Sequence, residues 1–202
     1  MHAHAGGETV RPWLTSDANP LRIDAVAAPG APGLIGMTLC PGKKDPYAAY
    51  GAWDRDLQAD LQAIRAWGAS TIVSLLQDHE FELLGLTDFE ARVTQAFRWH
   101  WLPIPDGGVP DESFEEMWTV DGPDLRGRLA AGERVLIHCR AGLGRTGLVA
   151  SRLLVECGMT PAEAIRAVRR ARPGTVETTV QERYVLQLTQ RAESAGKQGQ
   201  TS

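Results

Sequence analysis

Ten residues, 138-HCRAGLGRTG-147, follow directly on the apolar run Val135, Leu136 and Ile137, and this junction constrains the fold more than any other part of the chain. A short unbroken apolar run is the pattern of a strand buried on both faces. The glycine-rich turn after it opens into a helix predicted over residues 145–157. A strand that passes through glycine into a helix leaves its loop at the strand's carboxyl end, where ligands collect in parallel sheets. Three glycines, two arginines, one histidine and one cysteine in ten positions make that loop a candidate binding site.

The rest of the chain supplies the sheet. Strand patterns fall at residues 34–39, 71–76, 98–104 and 135–138, and helical patterns at 54–67, 87–97, 113–131, 145–157, 160–171 and 179–193. In the first of these helices Leu57, Leu61, Ile64 and Trp67 share one face. Thr87 with Glu90 and Ser113 with Glu116 read as capping boxes, and Thr160 with Pro161 as a cap followed by proline in the first turn. Pro123, after Gly122, is expected to kink or restart its helix. Strands alternating with helices predict an α/β fold, a central, mostly parallel sheet flanked by helices on both faces. The segment 27-AAPGAPG-33 reads as a turn. A single domain over residues 21–192 is expected, with loose tails at 1–20 and 193–202. His2 and His4 fall in the first tail and are given no role.

Composition narrows the function classes. With 202 residues, 43% of them hydrophobic, the chain can bury a real core, and its net charge of -4 argues against nucleic acid as the main partner. It lacks the uninterrupted run of about 18 apolar residues that a membrane span needs. The opening MHAHAGGETVRPW lacks the pattern of a secretory signal, so a cytoplasmic location is expected. Cys40, Cys139 and Cys157 are too scattered for a disulfide framework or a zinc site, so reduced thiols and no metal are expected.

Three readings compete for the loop. In the plainest, Cys139 is a small buried residue in a glycine-rich turn. In the second, 142-GLGRTG-147 matches the G-x-G-x-x-G of dinucleotide binding, which would make the chain an NAD-type oxidoreductase. That pattern also needs a second strand ending in an acidic residue about 20 positions further on, whereas 165-IRAVRRARPG-174 reads as helical and basic. The third reading uses every residue. Backbone N–H groups of Arg140, Ala141, Gly142, Leu143 and Gly144 that curl around one point and feed a helix N-terminus form a receptor for a phosphate dianion. The same amides favour the thiolate of Cys139 and so make it a nucleophile. Gly142 and Gly144 let the backbone approach closely, and Arg145 offers a planar fork to two phosphate oxygens. Thr146 is expected to donate its hydroxyl to the sulfur, and His138 to order the loop. This chemistry calls for no metal and no cofactor.

The H-C-x-x-G-x-x-R-T stretch resembles the signature of the Cys-dependent protein tyrosine phosphatase superfamily. Within it the chain is similar to the small dual-specificity phosphatases, and in particular to the kinase-associated phosphatase (cyclin-dependent kinase inhibitor 3-like) group. The segments 39-LCPGKK-44, 54–76 and 103-PIPDGGVPD-111 carry the likeness too, over roughly residues 34 to 190. The resemblance implies a protein tyrosine phosphatase-like fold. It implies hydrolysis of phosphotyrosine, and also of phosphoserine or phosphothreonine, through a phosphocysteine intermediate, by a monomer acting on a phosphorylated protein.

It further implies an acid upstream of the cysteine. Asp106 matches that position and is followed by Gly107 and Gly108 as a hinge; Asp111 is the alternative, with a helix cap as its plainer role. Gln181, in 172-RPGTVETTVQERYV-185, orients the hydrolytic water or is simply a polar residue in a first helical turn, and both readings stand. Ala141 and Leu143 occupy positions where lipid phosphatases of the superfamily carry lysine, which favours a singly phosphorylated group on a protein. Arg166, Arg169, Arg170 and Arg172 form a basic rim for that protein or a solvated helix face. A catalytically silent phospho-binding module is the remaining alternative, against which Cys139, Arg145 and Asp106 all speak. Oxidation would pair Cys40 or Cys157 with Cys139.

Overall fold

The apolar run that ends at His138 is the middle strand of a five-stranded sheet. The structure, a computed structural model, describes residues 12–48 and 51–188. In chain order its elements are β1 (Asp24–Ala27), β2 (Leu34–Thr38), β3 (Lys44–Asp45), β4 (Trp53–Asp54), α1 (Leu57–Trp67), β5 (Ala69–Ser74), α2 (Asp78–Leu83), α3 (Phe89–Val93), β6 (Arg98–Trp101), α4 (Glu112–Ala130), β7 (Arg134–His138), α5 (Gly144–Glu156), α6 (Pro161–Ala171) and α7 (Thr179–Leu186). The sheet order is β1-β2-β7-β5-β6; β1 runs antiparallel to β2 and every other pairing is parallel. β3 and β4 form a separate ribbon.

Alternation along β7 feeds two cores. Val135 and Ile137 pack with residues of α4, α5, α6 and α7, while Leu136 points to the other face and joins Leu57, Leu61 and Ile64 of α1 and Phe89 of α3. Each such side chain, once fully buried, contributes roughly 1.5–3 kcal/mol against the entropy of ordering it. The predicted mostly parallel sheet with helices on both faces is what the chain forms. α1 begins where the Asp56 carboxylate accepts the Ala59 N–H (2.7 Å) and ends at Gly68, whose φ of 89° is left-handed. Its Trp67 lies so close to β2 that a Cβ on Gly36 would stand 2.7 Å from the indole.

Several local expectations fail for identifiable reasons. Residues 14–16, within the expected first tail, are tied to the domain, while Trp13, Asp17 and Ala18 beside them stay exposed. Leu14 exchanges backbone hydrogen bonds with Ala52 and Asp54, and Ser16 donates to Asp60, a buried carboxylate that also needs Arg55 and the Gly42 N–H. Residues 1–11 and the predicted tail at 193–202 lie outside the described residues, as does the end of the last predicted helix. α3 starts at Phe89, after Asp88 and without the Thr87 box, and α4 starts one residue before Ser113, at Glu112, because Asp111 rather than Ser113 caps it by accepting the Phe114 N–H (2.9 Å). α4 continues through Pro123 as one helix, with Gly122 leaving room for the Trp118 indole. β1, α2 and the β3–β4 ribbon were not foreseen; each is too short to show a period.

Candidate active site

All four parallel strands deliver residues to the same edge. β7 runs into Cys139, β5 leads to α2 and Glu80, β6 to the loop around Asp106, and β2 to Lys43. Cys139, Arg145, Asp106 and Lys43 line one cleft of about 690 Å³.

The predicted phosphate loop forms the floor. Gly142 has φ of 72° and donates its N–H to the Cys139 sulfur at 3.3 Å; a Cβ there would stand 2.2 Å from the Thr38 carbonyl oxygen. The first bond of α5 runs from Gly147 N–H to Leu143 O (2.9 Å), which leaves the amides of Gly144, Arg145 and Thr146 open at the helix start. Arg172 braces the loop from behind by donating to the carbonyls of Gly142 (2.6 Å) and Ala141 (3.3 Å). The Arg140 side chain turns away and holds Asp45.

Arg145 is buried and aimed. Glu80, itself buried, takes its two Nη groups at 2.5 and 2.9 Å, and Nη1 also donates to Ile104 O (3.1 Å). Burial opposes the charge on this guanidinium, but the Glu80 hydrogen bonds and the negative fields of Cys139 and Asp106 prevail and hold its pKa above the ordinary value. Its Nε–H is buried without a partner among the described residues, a donor left for an oxyanion. Glu80 resists its own burial in the same way, since Arg145 and the Gln77 N–H (2.9 Å) bring its pKa below the ordinary value. Beneath the loop, His138 Nε2 meets Ser74 Oγ at 2.7 Å, and Ser74 accepts the Trp99 indole N–H at 2.8 Å. Burial pushes the His138 pKa down to about 3, so the ring is neutral at pH 7.

Asp106 lies across the cleft mouth, its Oδ1 2.8 Å from Arg145 Nη2 and its side chain 69% exposed. Gly107 beside it has φ of 69° and open space around it, as a hinge requires. Thr178 donates to Gly107 O (3.1 Å) and Gln181 Nε2 to Gly108 O (3.1 Å), so the start of α7 tethers this loop. Asp111 is spent as the cap of α4.

Of the predicted residues, Cys139, Arg145 and Asp106 meet in one cleft. Thr146 departs from expectation: fully buried in the first turn of α5, its hydroxyl has no hydrogen-bond partner among the described residues, and the sulfur's donor is the Gly142 N–H. Gln181 Oε1 accepts the Glu177 and Thr178 N–H groups, so the first-turn reading describes its resting bonds. Arg169 and Arg172 are not a solvated face, because they bind the carbonyls of Thr175, Val176, Ala141 and Gly142. The dinucleotide reading fails on topology, since α5 is followed by α6 and α7 and not by a strand. Sequence reasoning missed Glu80, Ser74 and Lys43; the available signal was that each follows or ends an apolar strand, at the edge where Cys139 lies.

A mostly parallel sheet whose middle strand runs directly into a cysteine, with an arginine in the first turn of the next helix and an aspartate on an opposing loop, is the architecture of a Cys-dependent phosphatase. Known proteins say the same. The family model described as "Swiss Army Knife protein, DSP-PTPase phosphatase domain" matches residues 50–185. Cyclin-dependent kinase inhibitor 3 of Rattus norvegicus is 38% identical over 165 residues and that of Mus musculus 31% over 164, each alignment covering 75% of this chain and 69% of the relative. Kinase-associated phosphatase with its catalytic-site cysteine changed to serine superposes with a TM-score of 0.75 at 24% identity, covering 87% of this chain and 97% of that one. A mutant form of Tk-PTP gives 0.60 at 28% identity, covering 85% and 97%. The chain belongs to the dual-specificity branch of the protein tyrosine phosphatase family, and it is a Cys-dependent protein phosphatase domain. No helix among the described residues is long and apolar enough to cross a membrane.

Proposed function

We propose that this domain removes single phosphate groups from phosphotyrosine, and also from phosphoserine or phosphothreonine, on protein partners, acting as a monomer in the cytoplasm. The observation that carries the reading is the pairing of the Cys139 sulfur, under the Gly142 N–H, with an Arg145 fixed by Glu80 in the same cleft. One chain supplies every group the reaction needs.

The phosphate sits over the open amides of the loop and takes hydrogen bonds from Arg145 Nε and Nη2, displacing Asp106 from Nη2. The Cys139 thiolate attacks phosphorus and forms a P–S bond as the P–O bond to the side chain breaks. Asp106, freed from Arg145, takes up a proton from solvent and gives it to the leaving oxygen. Water then attacks phosphorus, Asp106 takes up the proton, and the P–S bond breaks to return thiolate and inorganic phosphate. Gly142 N–H steadies the sulfur at both ends of this cycle. His138 stays neutral and orders the loop through Ser74. Gln181 acts as a positioning residue for the acid loop.

Hydrolysis of para-nitrophenyl phosphate by the wild type, Cys139→Ser and Asp106→Ala tests this directly; equal rates in all three would reject it. A panel of matched phosphotyrosine and phosphothreonine peptides sets the specificity, and gel filtration the oligomeric state.

A further inference from the structure

The cleft is larger than one phosphate needs, and its lining holds a cation that the mechanism above leaves unused. Lys43 lines the cleft yet is only 4% exposed. Its ammonium makes no hydrogen bond among the described residues. The nearest carboxylate oxygen, Asp45 Oδ2, is 3.9 Å away and already takes Nε and Nη2 of Arg140 at 3.0 and 2.9 Å. The Trp53 ring lies 5.0 Å from Nζ. One carboxylate thus serves two cations, which leaves a unit of positive charge at this corner of the cleft. Burial holds Lys43 below its ordinary pKa despite Asp45 and the nearby sulfurs. A buried ammonium with three donors and a loose partner is costly to the fold by itself and is well suited to an anion that arrives with the substrate.

We infer that Lys43 forms a second anion subsite, filled by a phosphate or carboxylate that a phosphopeptide substrate carries one or two residues from the reactive phosphate. The inference rests on the phosphatase reading and sharpens its substrate class. An extended peptide advances about 3.3 Å per residue, so a neighbouring acidic side chain reaches across a cleft of this size. The absence of lysine at positions 141 and 143 speaks for a single phosphate when the loop is taken alone. Lys43 restores the missing charge from a different loop, the one after β2.

The test uses the full chain and three phosphotyrosine peptides that differ only in the adjacent residue, alanine, glutamate or phosphoserine. The wild type should favour the phosphoserine peptide over the alanine peptide by about tenfold in kcat/KM, mainly through KM, the scale of one charge-assisted contact. Lys43→Met should level the three peptides, and Lys43→Arg should keep the order. Calorimetry on the wild type adds a measurement that no variant's folding can spoil: pyrophosphate should bind more tightly than orthophosphate. Equal treatment of the three peptides by the wild type, or equal affinity for the two anions, overturns the subsite. So does a Lys43→Met variant that slows all three peptides alike and shifts the pH profile of kcat/KM, which would assign Lys43 to the thiolate. A wild type that hydrolyses no para-nitrophenyl phosphate sinks the phosphatase reading instead, and the two anions still decide the subsite.

Discussion

The loop of residues 138–145 is buried and braced from three directions, whereas the loop of residues 105–108, which faces it, lies at the surface on few bonds. Glu80 fixes Arg145, Ser74 holds His138, and Arg172 binds the carbonyls of Ala141 and Gly142. The Asp106 loop has its own Gly108–Pro105 turn, two tethers from the start of α7 and one ion pair across the cleft. The contrast follows from what each must do. Donors that stabilise an oxyanion work best when already aimed, because nothing then has to reorganise during reaction. A group that first gives a proton to the leaving oxygen and later takes one from water works best on a segment that can move. Anion binding and proton transfer are thus divided between a stiff part and a compliant one.

The most severe way to break the contrast is at its centre. Cys139→Ser removes the nucleophile but leaves the amides and Arg145 in place. Activity on para-nitrophenyl phosphate should fall by at least about 10⁴-fold, while tungstate should still raise the melting temperature. A variant that loses tungstate binding as well would show that the sulfur itself builds the anion site.

On the compliant side, Asp106→Ala should slow the chemical step by about 10²–10⁴-fold and leave the melting temperature almost unchanged, since its side chain is 69% exposed. The stiff side should respond the other way. Glu80→Gln removes the buried counter-charge of Arg145 and leaves only the exposed carboxylate of Asp106 against it, which costs about 3–5 kcal/mol. A fall in Tm on the order of 10 °C follows for a domain of this size, together with weaker phosphate binding. Comparable Tm losses in the two variants would erase the distinction between the loops.

The same division explains what could be read from the sequence. Cys139, Arg145 and the glycines between them are contiguous, and a loop that closes on itself carries its geometry in its spacing. Asp106 was legible through the Gly107–Gly108 hinge and the likeness to known phosphatases. The braces were not. Glu80 lies 65 residues from Arg145 on a helix of six residues with no visible period, and only the parallel pairing of β5 with β7 brings them together. Arg172 looked like one member of a basic run because its targets are backbone carbonyls, which no side-chain pattern announces. The anchored segment at residues 14–16 escaped as well. Its partners are the backbone of Ala52 and Asp54 and the buried carboxylate of Asp60, not an apolar stripe.

The smallest expected effect separates the braces from the acid loop by their response to acid. Burial pushes His138 from its ordinary 6.5 down to about 3, with the field of Arg145 acting the same way. Below pH 6.5 the unfolded chain therefore takes up a proton that the folded one refuses, and stability falls with pH by up to about 1.4 kcal/mol per unit. Glu80 has the same sign: its contribution is fully present above its ordinary 4.5 and is lost as pH falls through its lower folded value. Both groups support the phosphate loop, and neither belongs to the segment that carries Asp106. Urea midpoints measured at pH 7, 6 and 5 should decline for the wild type and decline less for His138→Asn, which keeps a polar group beside Ser74 but cannot titrate. Parallel declines in the two proteins would mean that the acid sensitivity arises elsewhere, and that the stiff loop owes nothing to a neutral histidine beneath it.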